Sequence, residues 1–158
     1  IGNSRKANAV LLDLDLLTPS IHTYYGYEAE VGLDEYFEKD RPLSDILVSP
    51  DMEGLAIAPS IKPLHDSSEY LSTVKGADLI EEASAIYDNS VVVVDLPPIL
   101  VSDDAISFLP HVDAVLLIVR EGKTNKVDLQ RAQEMLAGVN IAGVIINDSL
   151  EPATLGYY

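Results

Sequence analysis

The chain has no cysteine and no tryptophan among its 158 residues. Disulfide scaffolds and thiolate metal sites are therefore excluded, while a reducing compartment is compatible with the sequence. Positive charge is also scarce: ten Lys and Arg stand against 26 Asp and Glu, a net charge of −16 at pH 7. So acidic a surface repels nucleic-acid backbones and anionic lipid headgroups, and direct binding to either is not expected. The same field opposes a nucleotide unless backbone amides or a lysine offset it locally. Long apolar runs are missing as well. The longest, such as Ala114 to Val119, fall far short of the ~20 residues that span a bilayer. The three histidines, His22, His65 and His111, are scattered without the spacing of a metal site. The opening Ile1-Gly2-Asn3-Ser4-Arg5-Lys6 carries neither an initiator Met nor a signal-peptide layout, and reads as the middle of something longer.

What is present is ordinary globular material, 47% hydrophobic and 23% charged. A chain of this length fits a single domain, 1–158, able to bury roughly 70% of its unfolded surface. Four short apolar runs bounded by turn residues have the character of buried parallel strands: Ala9 to Leu12, Leu55 to Ala58, Val91 to Val94 and Ala114 to Val119, with a fifth at Gly143 to Ile146. Between them, Ala77 to Tyr87 places Leu79, Ile80, Ala83 and Ile86 on one helical stripe, and Val127 to Leu136 does the same with Val127, Leu129, Ala132 and Leu136. Gly32 to Phe37 and Pro42 to Leu47 predict two short surface helices, and Pro59 to Ser68 a loop. Strands alternating with helices imply βαβ units, hence a three-layer α/β fold with a mostly parallel sheet and helices on both faces.

In such sheets the ligand site lies beyond the carboxyl ends of the strands. Two runs end there in acid: Val10-Leu11-Leu12-Asp13-Leu14-Asp15, and Val91-Val92-Val93-Val94-Asp95-Leu96-Pro97-Pro98. A carboxylate at that place can hold Mg²⁺ directly or through water, or can simply cap the turn or helix that follows. Ser102-Asp103-Asp104 is a candidate helix N-cap. Arg120-Glu121-Gly122-Lys123-Thr124 follows the fourth run, and Asn147 ends the last one, where its amide could read a base edge or serve a turn.

Taken in order, these segments resemble the bacterial tyrosine autokinases and their ATPase relatives in exopolysaccharide export. Val10 to Ser20 is similar to their second nucleotide-site motif, and Val91 to Pro98 to their Walker B motif. The likeness continues through Gly32-Leu33-Asp34-Glu35-Tyr36, Ser68 to Ser72, Ser102 to Ala105, Val112 to Val119 and Gly143 to Asn147, nearly the whole chain. The resemblance implies a MinD/ParA-like P-loop fold that uses ATP and Mg²⁺. In it Asp13 and Asp15 would arrange Mg²⁺ and the attacking group, Asp95 would hold Mg²⁺ through water, and Asn147 would sit near the base. It also implies a membrane-bound polysaccharide co-polymerase or activator as partner, a homo-oligomer in the intact protein, and a cytoplasmic place at the inner face of the cell membrane. Tyr157 and Tyr158 resemble the tyrosine-rich tail phosphorylated in these kinases.

Two departures accompany the likeness. The family's P-loop, with its phosphate-binding lysine, lies upstream of where this sequence starts, so the chain is expected to be truncated at its N-terminus and inactive alone. Where the kinases carry arginine after the two aspartates, this chain has Leu16-Leu17-Thr18. Leu17 either packs against the sheet while Lys123 or Arg120 supplies the cation, or leaves the site without one. A partitioning, positioning or pilus-assembly ATPase of the same fold, or a non-catalytic regulatory module, are the alternative readings.

Overall fold

The computed structural model describes residues 8–28 and 30–149. The start of the chain and Tyr157 and Tyr158 lie outside the described residues. The chain divides after His111 into two compact units.

In the first unit β1 (Asn8–Asp13), β2 (Leu55–Ala58) and β3 (Ser90–Asp95) form a sheet in the order β2-β1-β3, and both pairings are parallel. The central strand is the most apolar in its surroundings. Val10 and Leu12, and Leu14 and Leu16 just beyond its end, are fully buried. Five helices accompany this sheet: α1 (Ile21–Tyr24), α2 (Leu33–Lys39), α3 (Ser67–Leu71), α4 (Val74–Ser84) and α5 (Asp104–Phe108). Single 3-10 turns lie at Leu43–Asp45 and Leu109–His111. Leu33 and Phe37 of α2, Ile57 of β2, Leu71 of α3, Leu79 of α4 and Phe108 of α5 close the core. Burying each such side chain stabilises the fold by about 1.5–3 kcal/mol.

The second unit is one βαβ element. β4 (Val115–Arg120) and β5 (Ile141–Asn147) pair in parallel and are joined through α6 (Lys126–Met135). Asn125 caps that helix, its side-chain oxygen accepting the Asp128 amide at 2.9 Å.

Several sequence expectations shift. β1 and β3 each extend to include their terminal aspartate, and β5 includes Asn147. Pro42 to Leu47 holds a 3-10 turn rather than an α-helix. α4 starts three residues before Ala77 and stops at Ser84, short of Tyr87. α1 and α3, four and five residues long, show no period that a sequence reading could detect; α3 also takes the end of the expected Pro59–Ser68 loop. The runs of β3 and β4 are expected to be buried on both faces, yet Val91, Val93, Leu116 and Ile118 are exposed. Each of these strands presents one pleat face to solvent.

Gly76 fixes how α4 follows α3. A Cβ there would lie 2.3 Å from the carbonyl oxygen of Leu71, a backbone atom at the buried end of α3. Gly76→Ala should therefore lower the unfolding free energy by about 1–3 kcal/mol through overpacking, although alanine is the better helix former by about 1 kcal/mol. Urea denaturation measures it; an unchanged or raised midpoint would contradict this packing.

Candidate carboxylate site at the sheet end

The site begins with strand register. Asp13 on β1 stands opposite Asp95 on β3, and the Leu14 amide donates to the Asp95 carbonyl at 2.8 Å. Paired residues of parallel neighbours, on strands about 4.8 Å apart, project to the same face. The two acidic runs are thereby brought together at the carboxyl edge.

Asp13 is wholly buried. One of its oxygens, Oδ2, accepts the Ile21 amide at 3.2 Å, at the start of α1. Its carbonyl accepts the Ser60 hydroxyl at 2.6 Å. The other carboxyl oxygen, Oδ1, is buried with no hydrogen-bond partner. Burial pushes the Asp13 pKa up to about 6, helped by the charges of Asp95 and Asp15 and opposed by the amides of Ile21 and Ser60. Asp95 is also raised, first by loss of surrounding water although the residue reaches solvent, then by the Asp15 charge. Asp15 is half-buried and accepts both the amide and the hydroxyl of Thr18 at 3.0 Å. The capping role open to strand-ending aspartates is thus realised at Asp13 and Asp15. Only Asp13 keeps a buried oxygen unanswered.

An orphaned carboxylate oxygen beside two further carboxylates suits a cation. Among the described residues no three His, Asp or Glu side chains are close enough to enclose a metal ion by themselves. Mg²⁺ fits that situation better than a fully caged metal, because it keeps several waters while taking one or two carboxylates. Asp13, Asp15 and Asp95 are the candidates, of which one or two would hold it, directly or through water.

Each remaining candidate has its own local surroundings. Asn147 ends β5 in the second unit, exposed, and its side-chain oxygen accepts the Asp148 amide at 2.9 Å. Arg120 forms an ion pair with Asp148. Leu17 is 37% exposed, whereas Leu16 beside it is fully buried. Asp103 makes no side-chain cap at α5; the Ser102 hydroxyl accepts the Asp104 amide at 3.1 Å instead, and Asp104 accepts the buried Ser67 hydroxyl at 2.6 Å. Sequence reasoning missed Ser60 and Asp34. Asp34, nearly buried, accepts the amides of Ile61 and Lys62 at 3.1 and 3.4 Å. Ser60 directly follows Pro59, and its only sequence signal is a hydroxyl placed just past a strand.

No protein-family model matches the chain. Its homologues are bacterial tyrosine-protein kinases. It is 31% identical over 153 residues to tyrosine-protein kinase YwqD of Bacillus subtilis, covering 94% of this chain and 64% of that protein. Against others of these kinases it spans 20% of their length. The kinase domain of Escherichia coli tyrosine kinase ETK superposes with a TM-score of 0.81 at 29% identity, over 96% of this chain and 59% of that one. The fold is that of MinD/ParA-like P-loop NTPases. The septum site-determining protein MinD of Pyrococcus horikoshii, solved with Mg-ADP, gives a TM-score of 0.70 at 18% identity, covering 88% of this chain and 57% of that one.

The raised Asp13 pKa has a stability consequence. The folded protein keeps this proton up to about pH 6, whereas the ordinary carboxyl releases it near 3.8. Between those values the folded state binds more protons, so the group's contribution falls as pH rises through the window. Two pKa units bound the effect at roughly 3 kcal/mol. Asp13→Asn, which keeps an acceptor for Ile21, should be more stable than the parent at pH 7.5 by ~1–3 kcal/mol. The difference should vanish toward pH 4. Urea titrations across pH measure it, and a variant less stable at every pH would contradict the strained carboxylate.

Proposed function

We propose that this chain is the greater part of the nucleotide-handling domain of a bacterial tyrosine autokinase governing exopolysaccharide or capsule synthesis and export. The observation that carries the reading is the Asp13–Asp95 register, which leaves a buried carboxylate oxygen free beside the other acids. Homology to the tyrosine-protein kinases supplies the chemistry to which that geometry is fitted.

In this reading Asp13 and Asp95 would hold Mg²⁺·ATP at the carboxyl edge, with Asp15 beside them. Bound Mg²⁺ neutralises charge on the transferring phosphoryl group. Asp13 is set at its Oδ2 by Ile21 and presents Oδ1 to the site. Asp15, tied to Thr18, adds negative charge without leaving its turn. The likeness to the tyrosine-protein kinases supports a membrane-bound co-polymerase or activator as the partner that would hold the chain at the inner face of the cell membrane, since at −16 the chain itself is repelled by anionic lipid. Homo-oligomerisation lets one subunit phosphorylate the tyrosine tail of another, Tyr157 and Tyr158 here.

One observation favours an ATPase that transfers poorly to tyrosine. Leu17 stands where the kinases carry arginine, and Arg120 is engaged by Asp148. A missing cation beside developing phosphoryl charge lowers the rate on the order of 10²-fold. The intact protein, incubated with ATP and its activator, should release phosphate while phosphotyrosine at Tyr157 and Tyr158 stays far below stoichiometric by mass spectrometry. Asp13→Asn and Asp95→Asn should both abolish the release. Stoichiometric phosphotyrosine lost in Asp13→Asn would instead restore full kinase activity; phosphate release untouched by either variant would remove the site.

A further inference from the structure

We propose that Ser60 is a positioning residue for the metal-binding carboxylate, an inference that rests on the reading of Asp13 as a Mg²⁺ ligand. Ser60 is wholly buried and comes from a segment 47 positions away from Asp13 in the chain. It grips Asp13 through its hydroxyl, which donates to the Asp13 carbonyl at 2.6 Å. The need for the hydroxyl is local: β2 ends at Ala58, and Pro59 has no N–H with which to continue the ladder toward β1.

The segment that carries Ser60 is held from both sides. The Pro59 carbonyl accepts the Leu33 amide at 2.8 Å, and Asp34 accepts the Ile61 and Lys62 amides. On the other side the Leu64 amide donates to the Leu16 carbonyl at 2.8 Å. Gly32 makes the Asp34–Ile61 approach possible, since a Cβ there would lie 2.6 Å from Asp34 Oδ1 and 2.8 Å from the Ile61 nitrogen. Ser60 is thereby fixed on a braced loop, and its hydroxyl joins the Leu14–Asp95 bond in fixing the Asp13 peptide, with Oδ1 the one Asp13 carboxyl oxygen left for a cation. Removing the hydroxyl leaves the Asp13 carbonyl without its donor and loosens that peptide, which widens the range of Oδ1 directions without touching the metal.

The test uses the intact protein with Mn²⁺ as the Mg²⁺ probe, its free concentration followed by electron paramagnetic resonance, alongside thermal melting and Mg²⁺-dependent ATP hydrolysis. Ser60→Ala should weaken Mn²⁺ binding about tenfold or more, the range seen when an outer partner of a metal ligand is lost. It should raise the Mg²⁺ concentration for half-maximal activity more than it lowers the saturated rate. Ser60→Thr, which keeps the hydroxyl, should restore binding. Ser60→Cys, similar in size but a weak donor, serves if the alanine variant does not fold, and should fall with alanine. Unchanged Mn²⁺ affinity in the alanine or cysteine variant, with binding lost in Asp13→Asn, would overturn the role of Ser60 and leave the site standing. Unchanged affinity in Asp13→Asn would overturn both.

Discussion

The buried carboxylate of Asp13 is the constraint around which the first unit is arranged. A carboxylate removed from water is costly unless it is hydrogen-bonded or paired, and here one oxygen is answered by Ile21 while the other is not. Two more acids crowd it, so the protein meets neither condition in full. Strain of this kind persists where the surrounding structure fixes it, and it concentrates at functional sites. The apolar strand does the fixing. Val10, Leu12, Leu14 and Leu16 are wholly buried on either side of Asp13, so the aspartate cannot withdraw toward solvent without dragging core residues with it.

Parallel pairing then sets the company Asp13 keeps. One strand carries acid at the last ladder position, the adjacent strand carries acid at the same register, and Asp15 acts on both. A one-residue slip of β3 would send Asp95 to the opposite face and expose the inward valines. Packing and site chemistry are therefore specified by the same alternation. The loop after β2 adds the last restraint, reaching Asp13 through Ser60 and Leu16 through Leu64.

Much of this was legible because apolar runs ending in acid are an unusual pattern. Val91 to Asp95 announced a strand that ends in acid, and Val10 to Asp13 did the same for β1. The resemblance of ordered motifs pointed to the tyrosine kinases that the homologues turned out to be. What escaped has physical reasons. α1 and α3 complete barely one turn, too few residues for a period. Ser60 is distant in sequence and reads as one polar residue in a proline-containing loop, so its partner could not be known before the fold. Leu16 and Leu17 look interchangeable in sequence, yet the core takes the first and solvent the second. α4 begins at Val74 because Gly76 lets its first turn close over Leu71, a steric matter with no hydrophobic signature.

The account stands on a divalent cation seated at the carboxyl edge of β1 and β3. Paramagnetic broadening of backbone amide signals by Mn²⁺ with nucleotide, in the intact protein, locates that seat directly. A six-residue strand spans roughly 20 Å, enough to separate its two ends in such a measurement. The amides of Leu14, Asp15 and Leu96 should vanish first while those of Ala9 and Ser90 at the opposite ends stay sharp. Broadening centred on Ala9 and Ser90, or spread evenly over the acidic surface, would contradict it.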